Sequence, residues 1–278
     1  MYFIDKVIFF IDKVNYFSMF ERLKTNRLSK TKVISTLLII LATLFVAFEV
    51  FNASLASGIV KMLLLPMLIL LYYKSVKQKS KCFLIFLILY SIPQIFDFIS
   101  LELLKPNILL DNILYYVLNT FYIVAYIFLM FEILKYMNVK LIINKYITYL
   151  IVLLALDVYC VMLVSDVTLK SGYFSDFGTH LMEFSYNIIT MLLLTVALMN
   201  YMYKDSKKAM NLLLGSLCIV FSEVIQIAYF YVVDMEMLSV IYSVLLIIAF
   251  LFFHIQANLS GVGEEKVIES ANVNQLEV

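Results

Sequence analysis

From residue 33 to residue 257 the chain is a succession of apolar runs separated by short polar connections. Roughly 20 such residues, rising about 1.5 Å each as a helix, match the ~30 Å hydrocarbon thickness of a bilayer. Within lipid the backbone must satisfy its own hydrogen bonds, which restricts spans of this kind to helices. Eight runs are expected to cross, at residues 33–54, 56–73, 82–104, 109–136, 146–166, 177–203, 209–233 and 236–257. The second is short and carries Lys61 and Pro66, so a kinked or irregular helix is expected there. A chain 64% hydrophobic and only 15% charged is not a soluble domain, and the fold class is all-α, polytopic. Trp is absent while Tyr and Phe number 20 and 23, so the interfacial aromatic belts must be built mostly of Tyr.

Residues 1–32 and 258–278 flank this transmembrane domain. FIDKV occurs at 3–7 and again at 10–14, and this period of seven suggests an amphipathic helix on the membrane surface. A basic stretch at Arg22, Lys24, Arg27, Lys30 and Lys32 follows; Met19 is an alternative start. Asp5, Lys6, Asp12 and Lys13 interrupt the first apolar runs, unlike a cleavable signal. The tail from Asn258 is polar. Of the 21 Lys and Arg residues, all but Lys61, Lys105 and Lys170 fall on one side of the eight spans, which places both termini in the cytoplasm. Cys82, Cys160 and Cys218 lie at or within apolar spans and are read as small packing residues.

With that orientation, Glu49, Lys61, Asp97, Asp157, Glu183 and Glu223 all fall in the non-cytoplasmic half of their spans. An intramembrane charge costs about 2.5 kcal/mol or more, so such residues face protein or a water-filled cavity. Glu223 is flanked by a small and polar stripe of Gly215, Cys218, Ser222 and Gln226, expected to face protein, with Leu212, Leu213, Ile219 and Val220 on the part free to face lipid. Tyr90, Gln94 and Asp97 share a face; so do Tyr115, Asn119, Tyr122 and Tyr126, and His180, Glu183, Asn187 and Thr190. One polar cavity open toward the outer side accounts for the pattern, with Lys61, Glu49, Asp157, Glu183, Asn119 and Gln226 as candidate binding residues. A purely structural network that fixes helix packing is the competing reading. His180 and His254 read as interfacial, and Asp166, Asp176, Asp234 and Glu236 as outer-loop residues. No phosphate-binding Gly-rich loop, HExxH, GxSxG or CxxC is present, so no metal, cofactor or nucleic acid is indicated.

Placing Asp97 on Glu223 lays Lys81 on Lys207 and the third and fourth spans on the seventh and eighth, which suggests a 4+4 parallel repeat. GSLCIVFSEVIQIAYFY from Gly215 resembles the seventh-span motif of the YhhN-like lysoplasmalogenase family, a Gly-led apolar run reaching a Ser-Asp pair. LYSIPQIFDF, which ends just past Asp97, resembles that family's Gly-Asp motif, and Lys61 its Lys-Pro. The chain departs from the pattern at Glu223 in place of Asp, at Phe96 in place of Gly, and at Pro66, five positions after the lysine; no His lies between Asp111 and Met137. The resemblance implies a bacterial plasma-membrane hydrolase that cleaves the vinyl ether bond of a lysolipid or related ether lipid, with Asp97 and Glu223 catalytic and Lys61 holding an acid or a phosphate. A transporter or ligand-binding membrane protein is the alternative use of the same cavity.

Overall fold

The structure is a computed structural model, which describes residues 33–51, 53–76, 79–103, 108–170, 177–233 and 235–259, apart from the side chains of residues 54, 97, 100–103, 108 and 109. The surface-helix reading of residues 1–32, the alternative start and the polar tail beyond 259 lie outside the described residues. Every regular element described is an α-helix: α1 (Val33–Val50), α2 (Ser54–Ser75), α3 (Lys81–Leu103), α4 (Ile108–Leu134), α5 (Val139–Lys170), α6 (Phe177–Lys204), α7 (Lys207–Tyr231) and α8 (Glu236–Asn258). All but α3 are long and apolar enough to cross a bilayer; the described apolar stretch of α3 is Lys81–Phe96. The chain is thus a helical protein of integral membrane type.

The helix limits follow hydropathy closely, with two instructive differences. α2 runs unbroken through Pro66 instead of losing its regularity there. α5 starts at Val139, not at residue 146, because a segment containing Lys140 and Lys145 continues the helix across a kink at Tyr146 (φ −121°, ψ 24°). A hydropathy window stops at the lysines, while backbone hydrogen bonding does not. The turn into α7 is sharp: Asp205 adopts a left-handed φ of 42°, and Ser206 Oγ accepts the Ala209 backbone N–H at 3.2 Å as an N-cap.

Six helices close a ring. α2 packs on α3, α3 on α4, α4 on α6, α6 on α7, α7 on α8, and α8 returns to α2. α5 lies outside the ring against α6 and α7, and α1 lies outside against α2 and α8 through Phe45, Val60, Leu64 and Ile247. Only 17% of the apolar stretch of α1 and 11% of that of α5 is buried, as befits helices with most of their surface toward lipid.

One half of the ring is filled solid. Tyr72, Phe83, Phe86, Phe250 and Phe253 form a continuous aromatic plug, with ring centroids 5.1–6.3 Å apart, packed with Leu129, Leu193 and Ala197. Lipid tails are as apolar as leucine, so helices in a bilayer associate by close packing. The contact of α7 with α8 shows this: a Cβ on Gly215 would sit 2.5 Å from Phe253 Cε1. At the same end the Tyr72 hydroxyl accepts the Ser80 backbone N–H at 2.9 Å, and Ser80 Oγ donates to Glu132, which ties the α2–α3 connection to α4. The expectation that Leu212, Ile219 and Val220 face lipid is overturned, since they are 0–5% exposed. α7 touches α5, α6 and α8, leaving Met210 and Phe221 to the outside.

Candidate functional site

The other half of the ring encloses a cavity of about 570 Å³. Side chains from all six ring helices line it and none from α1 or α5. Connections of a few residues make successive helices alternate in direction, and the lining comes from the beginnings of α2, α4, α6 and α8 and the later parts of α3 and α7. The cavity therefore lies in the half opposite the Lys-rich connections that follow α2, α4 and α6.

At its deep end stands Glu223. Tyr126, fully buried, donates its hydroxyl to Glu223 Oε1 at 2.7 Å, and the hydroxyl of Tyr186 lies 3.5 Å from that of Tyr126. Tyr90 packs edge-on against Tyr122 (4.9 Å between centroids) and beside Tyr126 (5.9 Å), forming the floor where the cavity meets the aromatic plug. Toward the mouth, Tyr115 donates to Glu183 Oε1 at 2.6 Å, and Asn119 donates to the Tyr115 carbonyl at 2.8 Å. Each carboxyl is thus oriented by a phenolic donor from α4. That is the partner set a buried acid requires.

Lys61 enters from α2 and lies over the Tyr242 ring, 5.9 Å from its centroid. It is near enough to Glu223 to act on its charge, yet among the described residues it makes no ion pair; the Lys170–Asp166 pair at 2.6 Å is at the surface. Gln94 donates to the Tyr122 hydroxyl at 2.7 Å. Ser222, beside the acid, donates to the Tyr242 carbonyl at 2.7 Å and thereby clamps α7 to α8.

Of the residues singled out from the sequence, Lys61, Asn119, Glu183, Glu223 and Gln226 share this cavity. Asp97 lies on α3 one turn beyond Gln94, and its side chain is outside the described residues. Glu49 and Asp157 lie elsewhere. Glu49, on α1, accepts from Ser239 Oγ of α8 at 2.9 Å, and Asp157, on α5, accepts from Thr195 Oγ1 of α6 at 2.7 Å. Their depths match the others, but their helices stand outside the ring, so each is met by a local hydroxyl instead of the cavity. Tyr186, Tyr231 and Tyr242 also line the cavity and had no sequence signal beyond membership in a Tyr-rich chain; Tyr186 does sit three residues after Glu183, on the same helix face. Asp111, in the first turn of α4, adds a carboxylate to the lining. Among the described residues no three His, Cys, Asp or Glu side chains converge as a metal site requires.

Chemically the site offers two tyrosine-held carboxyls, one ammonium group, amide donors and an aromatic wall, in a pocket closed at one end. Comparison with family models, with characterised proteins and with solved structures finds no match.

Proposed function

We propose that this chain is an eight-span intramembrane hydrolase of the lysoplasmalogenase type, acting on the vinyl ether bond of a lysolipid. The observation that supports it most is Glu223, held by Tyr126 at the bottom of a cavity that also contains Tyr186, Glu183 and Lys61. An enol ether is cleaved by protonating the vinyl carbon away from oxygen, which yields an oxocarbenium ion. Water adds to that ion, and the resulting hemiacetal collapses to an aldehyde and the glycerol alcohol, returning a proton. Glu223 is the proton donor in this scheme, and the negative charge of Asp97 and Glu183 stabilises the cation. Lys61 meets the phosphate. The aromatic wall excludes bulk water from the reacting carbon.

In the bilayer, both termini are cytoplasmic and the cavity opens to the opposite face, in keeping with the placement of nearly all Lys and Arg residues on one side. The order of packing in the ring supports two parallel four-helix units: α2–α3–α4 continues to α6 as α6–α7–α8 returns to α2, with α1 and α5 both outside, α1 against α2 and α8 and α5 against α6 and α7. Such a repeat puts the site on the axis between the units, with Asp97 and Glu223 as counterparts.

Purified protein incubated with a vinyl ether lysolipid and with its saturated alkyl ether analogue is expected to release aldehyde from the first alone. Glu223→Gln should lower that turnover by about 100-fold or more. No aldehyde from the unaltered protein would overturn the hydrolase reading. The second reading, a binder or transporter of a small cation, draws on two carboxyls set among tyrosine faces; it gains if the unaltered protein cleaves nothing but binds a quaternary ammonium ion, and loses that binding in Glu183→Gln.

A further inference from the structure

We infer that the fatty chain of a single-chain amphiphile leaves the cavity sideways, through the seam between α2 and α8 that α1 covers. This rests on the cavity taking the polar end of such a ligand. Below Glu223 the way is blocked by Tyr90, Tyr126 and Phe250, all 0–2% exposed. A long apolar tail must therefore reach hydrocarbon laterally, between two ring helices.

One junction differs from the rest. α2 and α8 are the ring neighbours that touch least. Midway along them, a separate void of about 20 Å³ lies between Phe45 of α1, Leu64 and Leu65 of α2, and Ile247 and Phe250 of α8. Its lining is apolar except where Lys61 and Gln94 border it, and these two side chains also line the main cavity. The polar chamber and the apolar seam thus adjoin at Lys61 and Gln94.

Depth agrees. Leu64 and Ile247 lie about 15 Å from the starts of their helices, near the middle of a ~30 Å hydrocarbon layer. The cover is lightly held around the seam. There Phe45, Val60, Leu64 and Ile247 form a small cluster of their own, while α1 reaches the main core through Leu38 near its other end and is otherwise mostly exposed. Moving α1 aside exchanges contacts with apolar side chains for contacts with lipid tails, so no hydrophobic driving force holds it shut.

Two photoreactive lysolipid analogues test this, one with a diazirine beside the ether oxygen and one with it at the tail end, with adducts located by peptide mapping. The head probe is expected on α4, α6 or α7 within the cavity, and the tail probe on α1, α2 or α8 around Phe45, Leu64 and Ile247. Ile247→Trp, which fills the seam, should reduce tail labelling and turnover of a long-chain substrate by about tenfold, while a short-chain vinyl ether is turned over as before. Should that variant fail to fold, adducts on the unaltered protein decide alone. Head labelling in the cavity with tail labelling on α4, α5 or α6 overturns the seam but leaves the hydrolase reading intact. Absence of head labelling from the cavity overturns the amphiphile reading itself, and the seam with it.

Discussion

Tyr126→Phe removes one oxygen atom and nothing else from the centre of the site. The ring keeps its places 5.9 Å from the rings of Tyr90 and Tyr186, so no cavity opens and the change is confined to the hydroxyl, which meets Glu223 at 2.7 Å and the Tyr186 hydroxyl at 3.5 Å. Hydrogen bonds between transmembrane helices average about 0.6 kcal/mol, with a maximum near 1.7, because a membrane-inserted unfolded chain also finds partners. This bond belongs at the upper end. It is short, at 2.7 Å, and its donor is fully buried. The contact of Tyr126 with Tyr186 is lost in both backgrounds of a cycle, so the coupling reports the bond to Glu223. A coupling of about 1–1.5 kcal/mol is therefore expected in a cycle combining Tyr126→Phe with Glu223→Gln. Equilibrium unfolding in mixed micelles with increasing denaturing detergent measures it, with helicity as the signal. A coupling within about 0.3 kcal/mol of zero would mean that the pair is not formed, and the orientation of Glu223 by Tyr126 would have to be abandoned.

The remaining outcomes concern packing, site membership and topology. Gly215→Ala drives a methyl group to 2.5 Å from Phe253, which is fully buried, so an overpacking cost of about 1–3 kcal/mol outweighs the ~1 kcal/mol gained in helix propensity; Gly58→Ala meets the partly exposed Phe98 ring at 2.6 Å, which can turn away, and should leave the melting temperature higher than Gly215→Ala does. Equal melting temperatures would show that the α7–α8 contact is looser than described. Glu49→Gln and Asp157→Asn should keep vinyl ether turnover within about threefold of the unaltered protein, since both lie outside the ring, whereas Glu183→Gln should reduce it by about 10-fold or more; a large loss from Asp157→Asn would move the site toward α5. In a background lacking the native cysteines, Lys170→Cys should react with an impermeant thiol reagent added outside intact cells, and Lys140→Cys only after permeabilisation.

Position along each helix was legible in the chain before any tertiary structure, because one bilayer thickness sets span length and short connections make successive helices alternate. Glu183, Glu223, Lys61, Asn119 and Gln226 were found this way and do share a cavity. Azimuth and lateral order were not legible. Lipid and protein interior are equally apolar, so hydropathy cannot say that Leu212 and Ile219 are buried while Phe221 faces outward. Nor can it say which helices make the ring. Glu49 and Asp157 have the same depth as the cavity residues and the same chemistry, yet α1 and α5 were left outside by contacts such as Phe45 with Ile247, which join residues about 200 positions apart. Tyr186 and Tyr242 became cavity walls for the same reason: the sequence alone determined that tyrosines would be plentiful, and packing of six helices around one axis decided which of them meet.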